Sequence, residues 1–88
     1  MIPYGKIDST VALGALVRRK RREAGVRQAD AAALAGVGTR FLSELERGKP
    51  TSEVGKVLQV LTRLGLELWL LPRGTPPPPS AAGRADDR

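Results

Sequence analysis

Short polar side chains and one arginine recur at helical spacing in the middle of the chain, and their types suit hydrogen bonding to nucleic-acid bases. Arg40 can donate two hydrogen bonds to guanine O6 and N7, while Thr39 and Ser43 can bond several bases or contact a thymine methyl group. Leu42 and Leu45 should point the opposite way, toward a core. The pattern predicts a helix with one base-reading face; the alternative is the ordinary polar face of a surface helix.

A second predicted helix and a glycine turn precede this one. Residues 28–35 (QADAAALA) have high helix propensity because they are rich in alanine, and Leu34 should supply most of their contribution to the core. Residues 36–38 (GVG) form the turn, and the second helix spans 39–47 before Gly48. Helix, glycine turn and helix make the helix-turn-helix unit, whose second helix enters the DNA major groove.

One further helix on each side completes the predicted domain. A polar pair at residues 8–9 can cap a first helix over residues 10–24. A fourth helix over residues 53–64 can be capped from residues 51–52. Its apolar stripe follows helical spacing and should be buried: Val54, Val57, Leu58, Leu61 and Leu64.

After the fourth helix the apolar period changes from helical to alternating. Residues 66–71 place Leu66, Leu68 and Leu70 on one face of a short strand. A lone strand leaves its backbone groups unpaired, so we predict that it pairs with the same strand of a second copy, forming a homodimer. Trp69 then lies at or near that interface; the alternative is a Trp69 folded onto its own helices.

These elements divide the chain into four parts. An extended N-terminal arm covers residues 1–9, the helix-turn-helix domain 10–65 and the dimerisation strand 66–72. Residues 73–88, which include four consecutive prolines, are predicted to form a polyproline segment followed by disorder.

Composition favours a polyanionic partner. Fifteen Lys and Arg against nine Asp and Glu give the 88 residues a formal charge of +6, which suits DNA, RNA or an acidic membrane surface. The five consecutive basic residues from Arg18 to Arg22 form a solvated face, attract phosphate, or do both.

Cysteine and histidine are absent, so we expect no thiolate metal site, no cofactor and no enzymatic activity. No apolar run approaches the ~20 residues that span a bilayer, and we expect a cytoplasmic protein.

The chain resembles a known family from Leu13 to Leu68. Over this range, which includes the TRFLSELERGKPT segment, it is similar to the Cro/CI-type (XRE) helix-turn-helix regulators. With the GKIDST segment before this range and the leucine-rich stretch after the fourth helix, it more closely resembles HipB-like antitoxins. The resemblance implies an all-α, lambda-repressor-like bundle of four helices with a short C-terminal β-strand that pairs across a homodimer.

The resemblance also implies roles for individual residues. Gln28 and Lys49 would contact DNA phosphates, and Arg21 and Glu46 would form an ion pair that ties the first helix to the reading helix. Arg27 and Gly38 depart from the polar caps usual in the family; Arg27 adds a phosphate contact in exchange. The implied DNA-binding set is Arg27, Gln28, Gly38, Thr39, Arg40, Ser43, Glu44, Arg47 and Lys49. The implied dimerisation set is Leu66, Leu68, Trp69 and Leu70. Ala31 stands where the family often has leucine, which leaves the core under-filled or packed by a neighbour.

Function follows from the same resemblance. It implies a repressor of its own operon that binds double-stranded operator DNA and neutralises a HipA-like serine/threonine kinase toxin. Two alternatives stay open: a stand-alone XRE-family regulator without a toxin, and a protein-binding adaptor whose DNA face is vestigial.

Overall fold

Four helices account for all the regular structure in residues 4–76, the part of the chain that this computed structural model describes. In chain order they are α1 (Thr10–Glu23), α2 (Gln28–Ala35), α3 (Thr39–Glu46) and α4 (Val54–Arg63). The predicted all-α helix-turn-helix bundle is therefore confirmed. None of the described helices is long and apolar enough to cross a membrane.

The four helices end in the same way. After α2, the Gly36 N–H donates to the carbonyl of Ala33 at 3.2 Å and the Val37 N–H donates to that of Ala32 at 2.9 Å. This pair of bonds needs a left-handed residue, and Gly36 supplies it at φ 75°. Equivalent pairs follow α1, α3 and α4, where the glycines at positions 25, 48 and 65 take the same conformation. The helix-ending glycines thus set the lengths of the helices and the turns between them.

The helix starts are less uniform. Only α1 has a side-chain cap: the Ser9 hydroxyl accepts a hydrogen bond from the Ala12 N–H at 3.0 Å. The expected cap of α4 from residues 51–52 is wrong. Glu53 is the N-cap residue and makes no side-chain capping bond, whereas the Ser52 hydroxyl donates to the Lys49 carbonyl at 3.1 Å.

The core lies between α3 and the helices that flank it. Its buried apolar side chains are Val17, Ala31, Ala32, Ala35, Leu42, Leu45, Val57, Val60 and Leu61. The helix α1 approaches the C-terminal end of α3 so closely that a β-carbon at Gly14 would meet the backbone carbonyl oxygens of Leu45 and Glu46. A second contact joins the start of α1 to the turn that follows α3, because the Thr10 hydroxyl donates to the Gly48 carbonyl at 2.8 Å. These contacts fix the position of α3 against α1.

The contribution of α2 to the core differs from the prediction. Alanines, not Leu34, supply it: Ala31, Ala32 and Ala35 are buried, while Leu34 is 56% exposed. Small side chains let the neighbouring helices approach closely, and this orientation turns Leu34 outward. A pocket of about 130 Å³ lies beside Ala31, also bordered by Leu42 and Val60. The small side chain of Ala31 thus borders space that a larger apolar side chain could occupy.

The apolar stripe of α4 is only partly buried. Val57 and Leu61 are in the core as predicted, and Val60, which the predicted stripe does not include, is buried with them; Val54 is 71% exposed and Leu58 is 40% exposed. The prediction for these two residues is wrong, because α4 packs mainly on α2 and the stripe is wider than that contact. The outward leucines of α2 and α4 border an open groove whose lining includes Leu34, Leu58 and Arg63.

Residues 66–76 contain no helix and no strand in this structure. Leu66 packs against the core, and Leu68, Leu70 and Trp69 are more than half exposed. The indole N–H of Trp69 donates to Glu67 at 3.4 Å. Pairing of this segment between two copies stays a prediction. Most of the predicted disordered tail, residues 77–88, lies outside the described residues.

Candidate nucleic-acid interface

The helix α3 has one buried side and one open side. Leu42, Leu45 and Glu46 are buried, and Phe41 packs partly against the core. The open side carries the predicted base-facing side chains: Thr39, Arg40 and Arg47 are exposed, and Ser43 and Glu44 are partly exposed. The Arg40 side chain is 91% exposed, more than the side chains of Glu44 and Lys49 that share its ion-pair network. The structure thus brings the predicted reading residues together on one surface.

The starts of α2 and α3 offer backbone donors to that surface. Arg27 and Gly38 are the N-cap residues, and neither makes a side-chain capping bond. A β-carbon at Gly38 would meet nothing within 4 Å, and its φ is −76°, so neither space nor backbone geometry requires glycine there. The first N–H groups of a helix lack partners within the helix and favour anions such as phosphate. The open starts therefore agree with the predicted phosphate contacts.

Glu44 links two of the predicted DNA-contacting cations. Its Oε2 is 3.3 Å from Arg40 Nε and its Oε1 is 3.0 Å from Lys49 Nζ. The hydrogen bond from Lys49, helped by the one from Arg40, holds the pKa of Glu44 below its usual value. The carboxylate is consequently ionised at neutral pH and neutralises part of the positive charge of the face.

Behind this face, a buried ion pair joins α1 to the end of α3. Arg21 Nε is 2.6 Å from Glu46 Oε2 and Arg21 Nη2 is 3.0 Å from Glu46 Oε1, a two-bond geometry. The remaining Arg21 nitrogen, Nη1, donates to the Val26 carbonyl at 2.8 Å. Burial raises the pKa of Glu46, but hydrogen bonds from Arg21 and Gln28 outweigh it and leave the pKa below the ordinary value. The residues that the resemblance pairs are thus in contact in the structure.

Gln28 belongs to the same network. Its amide nitrogen donates to Glu46 Oε1 at 3.0 Å, whereas the resemblance implies a bond to a DNA phosphate. An amide NH₂ carries two hydrogens, so this bond leaves one for a phosphate oxygen. Gln28 therefore connects the start of α2 to the buried ion pair, a role that the sequence does not reveal.

Several basic residues are already paired within the protein. Arg27, whose side chain is 87% exposed, lies 3.3 Å from Asp30. In the basic run of α1, Arg19 and Lys20 both lie 3.5 Å from Glu23 oxygens and near the ring of Tyr4. Together with buried Arg21, these pairs show that the run does not act as one patch.

Sequence reasoning missed one group next to α3. Lys56, in the first turn of α4, has its Nζ 5.7 Å from the centre of the Phe41 ring and 3.4 Å from Glu53. Phe41 is the only aromatic side chain of α3. Its place directly after Arg40 was the one sequence feature that could have pointed to a contact beside the open face. The contact joins α4 to the side of α3 next to the open face.

Comparisons with known proteins agree with this arrangement. A family model described as a helix-turn-helix domain matches residues 12–71. An uncharacterized HTH-type transcriptional regulator of Sinorhizobium fredii is 49% identical over 69 residues, which are 78% of this chain and 91% of the relative.

Two solved structures share the fold. A chain of the HipA–HipB–O2–O3 complex superposes with a TM-score of 0.73 at 21% identity, over 80% of this chain and 99% of the matched chain. The clp gene regulator ClgR from C. glutamicum superposes with a TM-score of 0.60 at 32% identity, over 70% of this chain and 80% of its own. The predicted HipB-like fold is confirmed. By the family match, the sequence relative and the fold, this chain belongs to the helix-turn-helix domain family and is a DNA-binding transcriptional regulator of the XRE type.

Proposed function

We propose that the chain is a sequence-specific repressor that inserts α3 into the major groove of double-stranded operator DNA. The observation that carries the proposal is the two-sided character of α3. Leu42 and Leu45 hold one side in the core, and Arg40, Thr39 and Ser43 stand on the other. An arginine flanked by small hydroxyl side chains is suited to base edges. The buried ion pair at the far end of α3 holds this face in a fixed orientation.

The repressor acts as a homodimer. The apolar side chains Leu68, Trp69 and Leu70 are exposed in the single chain, which supports an interface formed by this segment. A two-fold dimer of helix-turn-helix domains binds two half-sites about one helical turn, ~34 Å, apart. The operator is therefore pseudo-palindromic.

The finer proposal is that the repressor is an antitoxin. Its support is the fold shared with HipB, which occurs in a complex with HipA. On this proposal the chain autoregulates its operon and binds a HipA-like serine/threonine kinase toxin, which strengthens repression when bound. Kinase activity belongs to the partner, and this chain is not an enzyme.

A stand-alone regulator is the second candidate. ClgR has 32% identity to this chain, against 21% for the HipB chain, so similarity to regulators is not confined to antitoxins. Both candidates share DNA reading by α3. They differ only in whether a second protein binds the repressor.

The experiment is a mobility-shift assay of the full chain on DNA from upstream of its own gene and on a scrambled duplex, with and without the product of the adjacent gene. The proposal predicts preferential binding of the upstream DNA and a supershift with tighter binding when the product is added. A shift that the product does not change favours the stand-alone regulator. Equal binding of both duplexes refutes sequence-specific repression, and binding of the product alone indicates an adaptor.

A further inference from the structure

Glu44 is placed poorly for stabilising the helix that carries it. The helix α3 has eight residues, and Glu44 lies in its last turn, where the helix dipole disfavours an anion. Its partner four residues earlier, Arg40, lies in the first turn, where a cation is disfavoured. The pair also has the less favourable order, because an acid preceding a base stabilises a helix more. Helix stability therefore does not explain this residue.

The position of Glu44 between two cations suggests another role. It lies on the proposed reading face, is only partly exposed, and uses separate carboxylate oxygens for Arg40 at 3.3 Å and Lys49 at 3.0 Å. Both cations belong to the predicted DNA-contacting set. Any phosphate that approaches either of them also approaches this carboxylate.

We propose that Glu44 is a specificity-determining residue that weakens binding to DNA other than the operator. On such DNA, Arg40 and Lys49 must share their charge between Glu44 and the phosphates, and the carboxylate repels the backbone. This inference rests on the proposed reading role of α3.

The operator overcomes this opposition through its base edges. Guanine offers Arg40 two acceptors, O6 and N7, and cytosine offers a carboxylate the donor N4–H₂. A half-site with guanine and cytosine in reach of these two side chains satisfies both, whereas phosphates alone satisfy only the cations. Glu44 thus selects G·C-containing half-sites by penalising the alternatives.

The expected magnitude follows from counterion release. A freed cation that gains one more phosphate contact steepens the slope of log affinity against log salt by about 0.9, which at ~0.1 M salt is about an eightfold gain in affinity. Glu44→Gln removes the charge and keeps the shape of the side chain. We expect it to bind a non-operator duplex about eightfold more tightly, with the steeper slope, and to lose preference for the operator.

Glu23→Gln is the matched control. Glu23 also bridges two cations, Arg19 and Lys20, each at 3.5 Å, but on α1 rather than on the reading helix. Glu23→Gln changes the net charge of the protein by the same amount as Glu44→Gln. Binding of fluorescent non-operator and upstream duplexes is measured by anisotropy from 0.05 to 0.3 M salt for wild type and both variants, and thermal melting reports folding.

The outcomes separate the two claims. A gain on the non-operator duplex that is larger for Glu44→Gln than for Glu23→Gln, and larger than the gain of Glu44→Gln on upstream DNA, supports the inference; an equal gain of Glu44→Gln on both duplexes would overturn it. Equal gains for the two variants would show a simple effect of net charge and overturn it, as would a lower melting temperature with unchanged non-operator affinity. The proposed function itself would be refuted by a different result, namely a wild-type protein that binds its upstream DNA no more tightly than non-operator DNA.

Discussion

The ion pair between Arg21 and Glu46 is the contact whose removal should change stability most. Both side chains are buried, and each makes more than one hydrogen bond in the network. Glu46→Gln keeps the size of the side chain but leaves the Arg21 charge without a counter-ion. Removing one partner of a buried pair costs roughly 3–5 kcal/mol. That is a large part of the ~5–15 kcal/mol by which small domains are stable.

The pH dependence of this loss gives a sharper test. Because the pKa of Glu46 in the folded protein lies below the ordinary value of about 4.3, its stabilising effect is complete above that value and disappears as the pH falls through the folded pKa. The difference in free energy of unfolding between wild type and Glu46→Gln should therefore be full at pH 7 and shrink in acid. Urea denaturation followed by circular dichroism at pH 7 and at pH 3–4 measures it.

A double-mutant cycle shows whether the two side chains act as a pair. Replacing both by apolar residues of similar volume, Arg21→Met with Glu46→Leu, removes the two charges together. The cycle also needs each single variant, Arg21→Met and Glu46→Leu. We expect the double variant to be about 1–3 kcal/mol more stable than the summed losses of these two single variants predict. Additive losses, or a Glu46→Gln difference that does not change with pH, would refute the reasoning.

Four further outcomes follow from particular contacts. Gly14→Ala should destabilise by roughly 1–3 kcal/mol because its β-carbon meets α3 backbone, whereas Gly55→Ala, with nothing within 4 Å, should be neutral or stabilising in thermal melts. Ala31→Leu should raise stability by about 0.5–2 kcal/mol in urea titrations by filling the adjacent pocket; a loss would show that the pocket cannot admit it. Lys49→Ala should weaken binding to all DNA and flatten its salt dependence in anisotropy titrations. A chain ending at Gly65 should sediment as a monomer, and intact dimers would contradict pairing through residues 66–72.

The helices and their ends are the most predictable part of this fold. Gly36 and Gly48 end α2 and α3 because a left-handed residue completes the pair of hydrogen bonds that closes a helix, and this chemistry is local. The period of Leu42 and Leu45 likewise gives the buried side of α3. Local rules therefore give the helix-turn-helix unit and its open face.

Burial was less predictable, for a physical reason. Helical spacing shows that Leu34 and Leu58 belong to apolar stripes, but not how wide the contact with the neighbouring helix is. The alanines of α2 replace leucine in the core because they allow close helix packing. Gly14 gave no local signal at all, since its importance depends on a carbonyl about 30 residues away in the chain.

The site was predicted in outline, and its network was not. The faces of Arg40 and Ser43 follow from helix geometry, whereas the partner of Arg21 came from family resemblance rather than from spacing. The bonds of Gln28 and of Arg21 to Glu46 join side chains from different helices. Such contacts depend on how the elements pack, which no single segment encodes.

The most direct test of the central claim is the operator preference of Arg40→Ala. The control is Arg22→Ala, which removes the same charge from an exposed side chain on α1. The measured quantity is the ratio of affinities for the upstream DNA and for a scrambled duplex. If α3 reads bases, Arg40→Ala loses about 1–3 kcal/mol of this preference and relaxes selection at one operator position, while Arg22→Ala keeps it. An unchanged preference in Arg40→Ala, or equal losses in both variants, would contradict the claim.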